Sequence, residues 1–147
     1  MNIVMSIKEK WAQKIYSGEK KIEWRKSWPN FQKVNYKDLK VYLYEVEKKL
    51  VTGFFILDHV EFYGRICADY ETPCIKDGCI SSEELKNYSN GKDLYMWHIK
   101  SAEKLGYPTE IKYFTPSERA PQSWCYTRAY FCNGTFNFDH QIKENNK

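Results

Sequence analysis

At Gly18 the spacing of the apolar residues changes from a helical to an extended period, and this switch limits the chain to folds that mix the two elements. Before it, Trp11, Ala12, Ile15 and Tyr16 recur at three- and four-residue intervals, which lays one apolar stripe along a short helix. After it, Ile22 and Trp24 alternate with Lys21, Glu23 and Arg25, the pattern of a strand with one apolar and one charged face. Lys20 opens that strand on the apolar side. Gly18 stands where a helix takes a left-handed residue just past its end. Ser6 and Glu9 have the spacing of a capping box, so the pattern predicts a helix over about 7–17, preceded by a short strand at Ile3-Val4-Met5.

The remainder of the chain reads mostly as strands. Val41–Val46 is rich in β-formers, Glu47-Lys48-Lys49 is a turn, and a long strand runs from Leu50 to about Val60. Within it, Gly53 marks a bulge or a close approach of backbones. Residues 64–80 hold Gly64, Pro73 and Gly78 and read as an irregular insertion. Ser81 and Glu84 form a second capping box, starting a helix that ends near Tyr88, before the turn at Asn90-Gly91. The run Leu94–Ile99 suits a strand buried on both faces. Gly106 and Pro108 mark a turn, Ile111–Phe114 a further strand, residues 115–121 a loop, and Ser123–Thr127 an extended segment. From Asn133 the chain turns polar. The expected architecture is a single α+β domain over residues 1–132 with a polar tail at 133–147. Its simplest form is a small, mostly antiparallel twisted barrel of five to seven strands with two or three short helices at its mouth.

At 147 residues the chain is long enough to bury a core without disulfides or a metal. Five cysteines, an odd number without a C-x-x-C spacing, read as reduced thiols rather than zinc ligands or disulfides. No apolar run reaches the roughly 20 residues needed to span a bilayer, and the N-terminus lacks the apolar core of a signal peptide. The expectation is a soluble, cytoplasmic protein without a membrane partner. The net charge of +4 attracts phosphate weakly and is too small for a dedicated nucleic-acid domain. Aromatic residues make up 17%, enough to furnish both a core and surfaces that stack on bases. P-loop, Rossmann, zincin and α/β-hydrolase motifs are all absent, and no cofactor or metal is expected.

Three clusters could carry chemistry. The first is Lys20, Glu23 and Arg25. Glu23 and Arg25 are two apart on a strand, so they share a face, and an arginine fixes the orientation of a neighbouring carboxylate. The alternative is an ordinary solvated charged face. The second is Arg119-Ala120-Pro121-Gln122-Ser123-Trp124, where the Gln122 amide can read a base edge and Trp124 can stack, or else the tryptophan simply packs in the core. The third is Trp97-His98, in which a lone histidine on an apolar strand is more often a satisfied core histidine than a catalyst. His59 and His140 carry no partner pattern.

The stretch Gly18-Glu19-Lys20-Lys21-Ile22-Glu23-Trp24-Arg25 resembles the G-x-K-x-x-E-x-R hallmark of the ASCH domain, matching all four positions. Tyr42-Leu43-Tyr44-Glu45, Gly53-Phe54-Phe55, Tyr95–Ile99 and Ala120–Tyr126 resemble later blocks of ASCH-like proteins in bacteria and phages. The resemblance covers about residues 2–130. It implies a PUA-like fold, a small β-barrel beside a cleft lined by the hallmark residues. It also implies binding of RNA, single-stranded nucleic acid or a modified nucleoside in that cleft, with Gly18, Lys20, Glu23 and Arg25 lining it. Beside them Trp24, Trp97 or Trp124 could stack on a base and Gln122 could read its edge, so that Trp97, Gln122 and Trp124 are expected as further binding residues. The alternative it carries is a small hydrolase, an N4-acetylcytidine amidohydrolase or a ribonuclease, with Lys20 and Glu23 as catalytic residues. Lys20 aligns with the lysine of the amidohydrolases, whereas Glu23 stands where those enzymes have a threonine.

Overall fold

The computed structural model describes residues 1–30, 37–65, 73–127, 129–132 and 135–138. Cys67, His140 and the expected fraying at 143–147 lie outside these residues. Six strands form one mixed sheet that curls into a half-barrel: β1 (Asn2–Ile7), β2 (Ile22–Arg25), β3 (Lys40–Glu45), β4 (Leu50–Gly64), β5 (Leu94–Thr109) and β6 (Trp124–Thr127). Their order is β2-β5-β4-β3-β1-β6. Only the pair β1 and β3 is parallel; the other neighbours are antiparallel. Three short helices accompany the sheet: α1 (Glu9–Tyr16), α2 (Pro73–Gly78) and α3 (Ser82–Ser89). A separate hairpin pairs β7 (Ala129–Cys132) with β8 (Thr135–Phe138), so part of the segment expected as a polar tail is a strand.

The period-2 alternation of β1 divides the core. Ile3, Met5 and Ile7 face α1 and pack with Val41, Leu43, Phe55, Leu57 and Trp97, while Val4 on the other face packs with Tyr42, Val51 and Phe114. A third cluster joins Ile22 and Trp24 of β2 to Leu94 and Met96 of β5, with Ile75 of α2 and Leu85 of α3 covering them. The insertion expected to be irregular at 64–80 therefore folds in part into one helix, α2, which together with the expected helix α3 caps the β2–β5 end of the sheet and leaves a hollow beside it.

Local signals fared unevenly. Gly18 ends α1 at φ +83°, and Ser81 Oγ accepts from the Glu84 amide at 3.1 Å, as a capping box requires. The Ser6–Glu9 box does not form. Ser6 belongs to β1 and its hydroxyl donates to the Pro121 carbonyl at 2.6 Å, while the carboxylate of Glu47 accepts from the Glu9 amide at 2.8 Å. A tertiary partner has replaced the local one. At Gly53 a Cβ would come within 2.5 Å of the Glu103 carbonyl and 2.6 Å of the Tyr16 hydroxyl, so here the backbone does make a close approach. The turn expected at Gly106 and Pro108 is instead a bulge within β5: Lys104 pairs with Gly53 and Thr109 with Val51, leaving the residues between them out of register. Ile111–Tyr113 is a single 3-10 turn rather than a strand.

Candidate functional site

Lys20, Glu23 and Arg25 are all buried, at 4%, 6% and 8% exposure, although the sequence allowed them to coat a solvated face. Gly18 makes this possible. It turns the chain out of α1, the Lys20 amide closes the turn on the Lys14 carbonyl at 2.9 Å, and β2 then runs along β5 with Glu23 opposite Trp97 and Arg25 opposite Tyr95.

Burying three charges is costly unless each finds partners. Arg25 donates from Nε to Glu23 Oε1 at 3.1 Å, from Nη2 to the Ser6 carbonyl at 2.9 Å, and from Nη1 to Ser123 Oγ at 3.1 Å. Because β2 and β6 are the two edges of the sheet and Ser123 immediately precedes β6, this guanidinium ties the ends of the half-barrel together. Ser27, just past β2, reinforces the closure. Its carbonyl accepts from Trp97 Nε1 at 3.1 Å and its hydroxyl from Trp124 Nε1 at 2.9 Å. Lys20 Nζ donates to the Gly78 carbonyl, lies 3.4 Å from Glu23 Oε2 and sits 5.2 Å from the centre of the Trp11 ring. Glu23 Oε2 has this ion pair but no hydrogen-bond partner among the described residues, and neither has Trp24 Nε1.

These groups line one cavity of about 400 Å³. Trp11 of α1 and Tyr88 of α3 contribute partly exposed aromatic rings, and Ile80 and Trp24 an apolar wall. Burial of the Tyr88 phenol raises its pKa, the nearby Arg25 opposes that rise and Glu23 adds to it; the residue as a whole remains about 36% exposed. Lys8 and Lys10 stand exposed among the lining residues. With Lys20 and Arg25 they make four cations against the carboxylates of Glu23 and Glu84, so the hollow favours an anion. Gly78 must lack a side chain, because a Cβ there would strike Trp24 Nε1.

Of the residues singled out in the sequence, Lys20, Glu23 and Arg25 meet in the cavity. Gly18 lies outside it, beside a smaller hollow with Lys14, Lys21 and Asp77. Trp97 is fully buried in the main core, with its N–H already bonded, and offers no face to a ligand. Trp124 packs edge-on against Trp97 and Tyr126, and Gln122 is exposed; neither lines the cavity. Sequence reasoning missed Trp11 and Tyr88. The sequence shows Trp11 only as part of the apolar stripe of α1, and nothing local indicates that α3 folds back over β2.

The family profile of the ASCH domain matches residues 5–109. No curated protein matches the chain. Among solved structures, the crystal structure of ASCH from Zymomonas mobilis shares the fold at 20% identity and a TM-score of 0.71, covering 86% of this chain and 87% of that one. Two crystal structures of mutant forms of the Zymomonas mobilis protein align at 18% identity and TM-scores of 0.65, over 86% of this chain and 88% or 90% of theirs. The PUA-like barrel fold expected from the resemblance is thus observed, its six-stranded sheet curled into a half-barrel. With the family profile spanning most of its length, the chain belongs to the ASCH domain family.

Proposed function

We propose that the cavity binds a single unstacked base of RNA, or a free nucleoside, rather than processing it. The observation that carries this reading is the buried Glu23 carboxylate: one oxygen is held by Arg25, and the other has only an ion pair with Lys20 at 3.4 Å. A fixed carboxylate with spare acceptor capacity suits the N–H edge of a nucleobase, which reaches the buried Oε2 when the Lys20 ammonium beside it swings aside. The volume is of nucleoside size, Trp11 and Tyr88 supply rings for stacking, and Lys8 and Lys10 meet phosphate at the rim. Membership of the ASCH family supports a nucleic-acid partner. Among the described residues no helix is long and apolar enough to cross a membrane.

The hydrolase alternative receives less support. Both partners of Lys20 are hydrogen-bond acceptors, which suits a donor better than a nucleophile presenting a lone pair. Arg25 places three of its five donors on Glu23, Ser6 and Ser123, one from each nitrogen, which fixes the guanidinium and favours a positioning role.

Fluorescence anisotropy of a labelled unstructured RNA tests the reading, together with incubation of the protein with N4-acetylcytidine and with the same RNA. Saturable binding that weakens with salt and in Glu23→Gln, without turnover, is the expected result. Deacetylation or cleavage abolished by Lys20→Ala would instead establish the enzyme.

A further inference from the structure

A second constellation lies on the β4–β5 ladder, and none of its members lines the cavity. His59 and Glu61 are two residues apart on β4 and share a face; His59 stands opposite His98 of β5. The two imidazoles stack with centroids 4.1 Å apart and planes 11° from parallel. One ring nitrogen from each histidine and one Glu61 carboxylate oxygen all lie within 4.8 Å of one another. His98, read from sequence as a satisfied core histidine, is not one. Its Nε2 is buried and without a hydrogen bond among the described residues, 3.6 Å from Glu61 Oε2, an ion-pair distance too long for a hydrogen bond. His59 Nδ1 is 2.6 Å from the Asp58 carboxylate. That contact assigns the proton to Nδ1 and leaves Nε2 free to ligate, the arrangement by which carboxylates orient metal-binding histidines.

We propose that His59, Glu61 and His98 bind a divalent transition-metal ion of the zinc type, with Asp58 orienting His59. Two imidazoles and a carboxylate suit Zn²⁺ and its neighbours rather than Mg²⁺ or Ca²⁺, which take oxygen ligands. Bonds of the usual length put tetrahedral ligands about 3.4 Å apart. Two parallel rings cannot both aim an in-plane lone pair at one ion, so binding requires the half-exposed His59 ring to turn out of the stack, and with rotation of the half-exposed Glu61 this closes the present spread of up to 4.8 Å. The fourth position stays open to water. The ladder slips register between Ile56 and Leu57 and again between Leu57 and His59, so the ion clips the two strands where their pairing is irregular.

The test is titration of the full chain, with its thiols kept reduced, with Zn²⁺ followed by calorimetry and with Co²⁺ followed by absorption. The expected result is one Zn²⁺ per chain, a higher Tm in its presence, and a Co²⁺ spectrum without thiolate charge transfer. His59→Ala and Glu61→Gln, both at exposed positions that leave the core intact, each weaken Zn²⁺ roughly tenfold or more, and Asp58→Asn weakens it by roughly 10–100-fold. Zinc binding that persists in the His59→Ala/Glu61→Gln double variant, a thiolate-dominated cobalt spectrum, or no saturable binding by the unmodified chain overturns the proposal.

Discussion

Arg25 and Glu23, two residues apart on one short strand, form a buried ion pair with Arg25 Nε donating to Glu23 Oε1 across 3.1 Å. The same guanidinium bonds Ser6 of β1 and Ser123 beside β6, so it both orients the cavity carboxylate and fastens the sheet edges. Arg25→Ala leaves Glu23 buried with less compensation and should cost about 3–5 kcal/mol. In a chain of this length that lowers Tm by roughly 6–20 °C. Calorimetry reads the loss directly. Arg25→Lys restores little of it, because an ammonium cannot reproduce the fork.

Gly78 braces two residues that line the cavity, Lys20 and Trp24. Its carbonyl accepts from Lys20 and its bare Cα lies against Trp24 Nε1. Gly78→Ala should displace the Trp24 indole and weaken RNA binding more than it lowers Tm, a comparison of anisotropy with thermal unfolding. Gln122→Ala, at an exposed residue away from the hollow, should leave binding within about twofold of wild type.

At Gly53 the outcome should be structural rather than functional. A Cβ 2.5 Å from the Glu103 carbonyl forces apart the β4–β5 ladder at its bulge. Gly53→Ala should destabilise by about 1–3 kcal/mol, visible as a lower denaturation midpoint.

Alkaline pH should unfold the protein through its buried phenols. Burial pushes Tyr42 up from 10 to about 12, and raises Tyr16 further still against its hydrogen bond with Thr52. The folded state therefore holds these protons more tightly than the unfolded state. The stability this confers is complete below pH 10 and is lost as pH rises through about 12, with Tyr42 alone contributing about 3 kcal/mol. Denaturation midpoints measured between pH 8 and about 12 should show that fall, and Tyr42→Phe should make it shallower.

Signals that act within a few residues of chain were legible. Gly18 past a helix end, the Ser81 box, and the Gly53 approach each express a backbone need that only certain residues meet. The hallmark residues were visible as a charged strand, but their burial was not, because it depends on α3 folding over β2 and on Ser6 and Ser123 arriving from distant strands. Ser6 misled for the same reason: its hydroxyl found Pro121, 115 residues away, in place of the helix start. Trp97 looked available because alternation says only that it faces one side of a sheet, not that α1 and β1 fill that side. The pairing of His59 with His98 rests on ladder bulges, which shift register in a way that a period of two cannot foretell.

The five tryptophan indole N–H signals in an NMR spectrum give the most direct test of the cavity as the ligand site. On addition of a short single-stranded RNA, the signals of Trp11 and Trp24 should move together and saturably, while those of Trp97 and Trp124, both bonded to Ser27, should stay in place. Shifts confined to Trp124 or Trp28, or none at all in Trp11 and Trp24 under conditions where RNA binds, contradict the assignment.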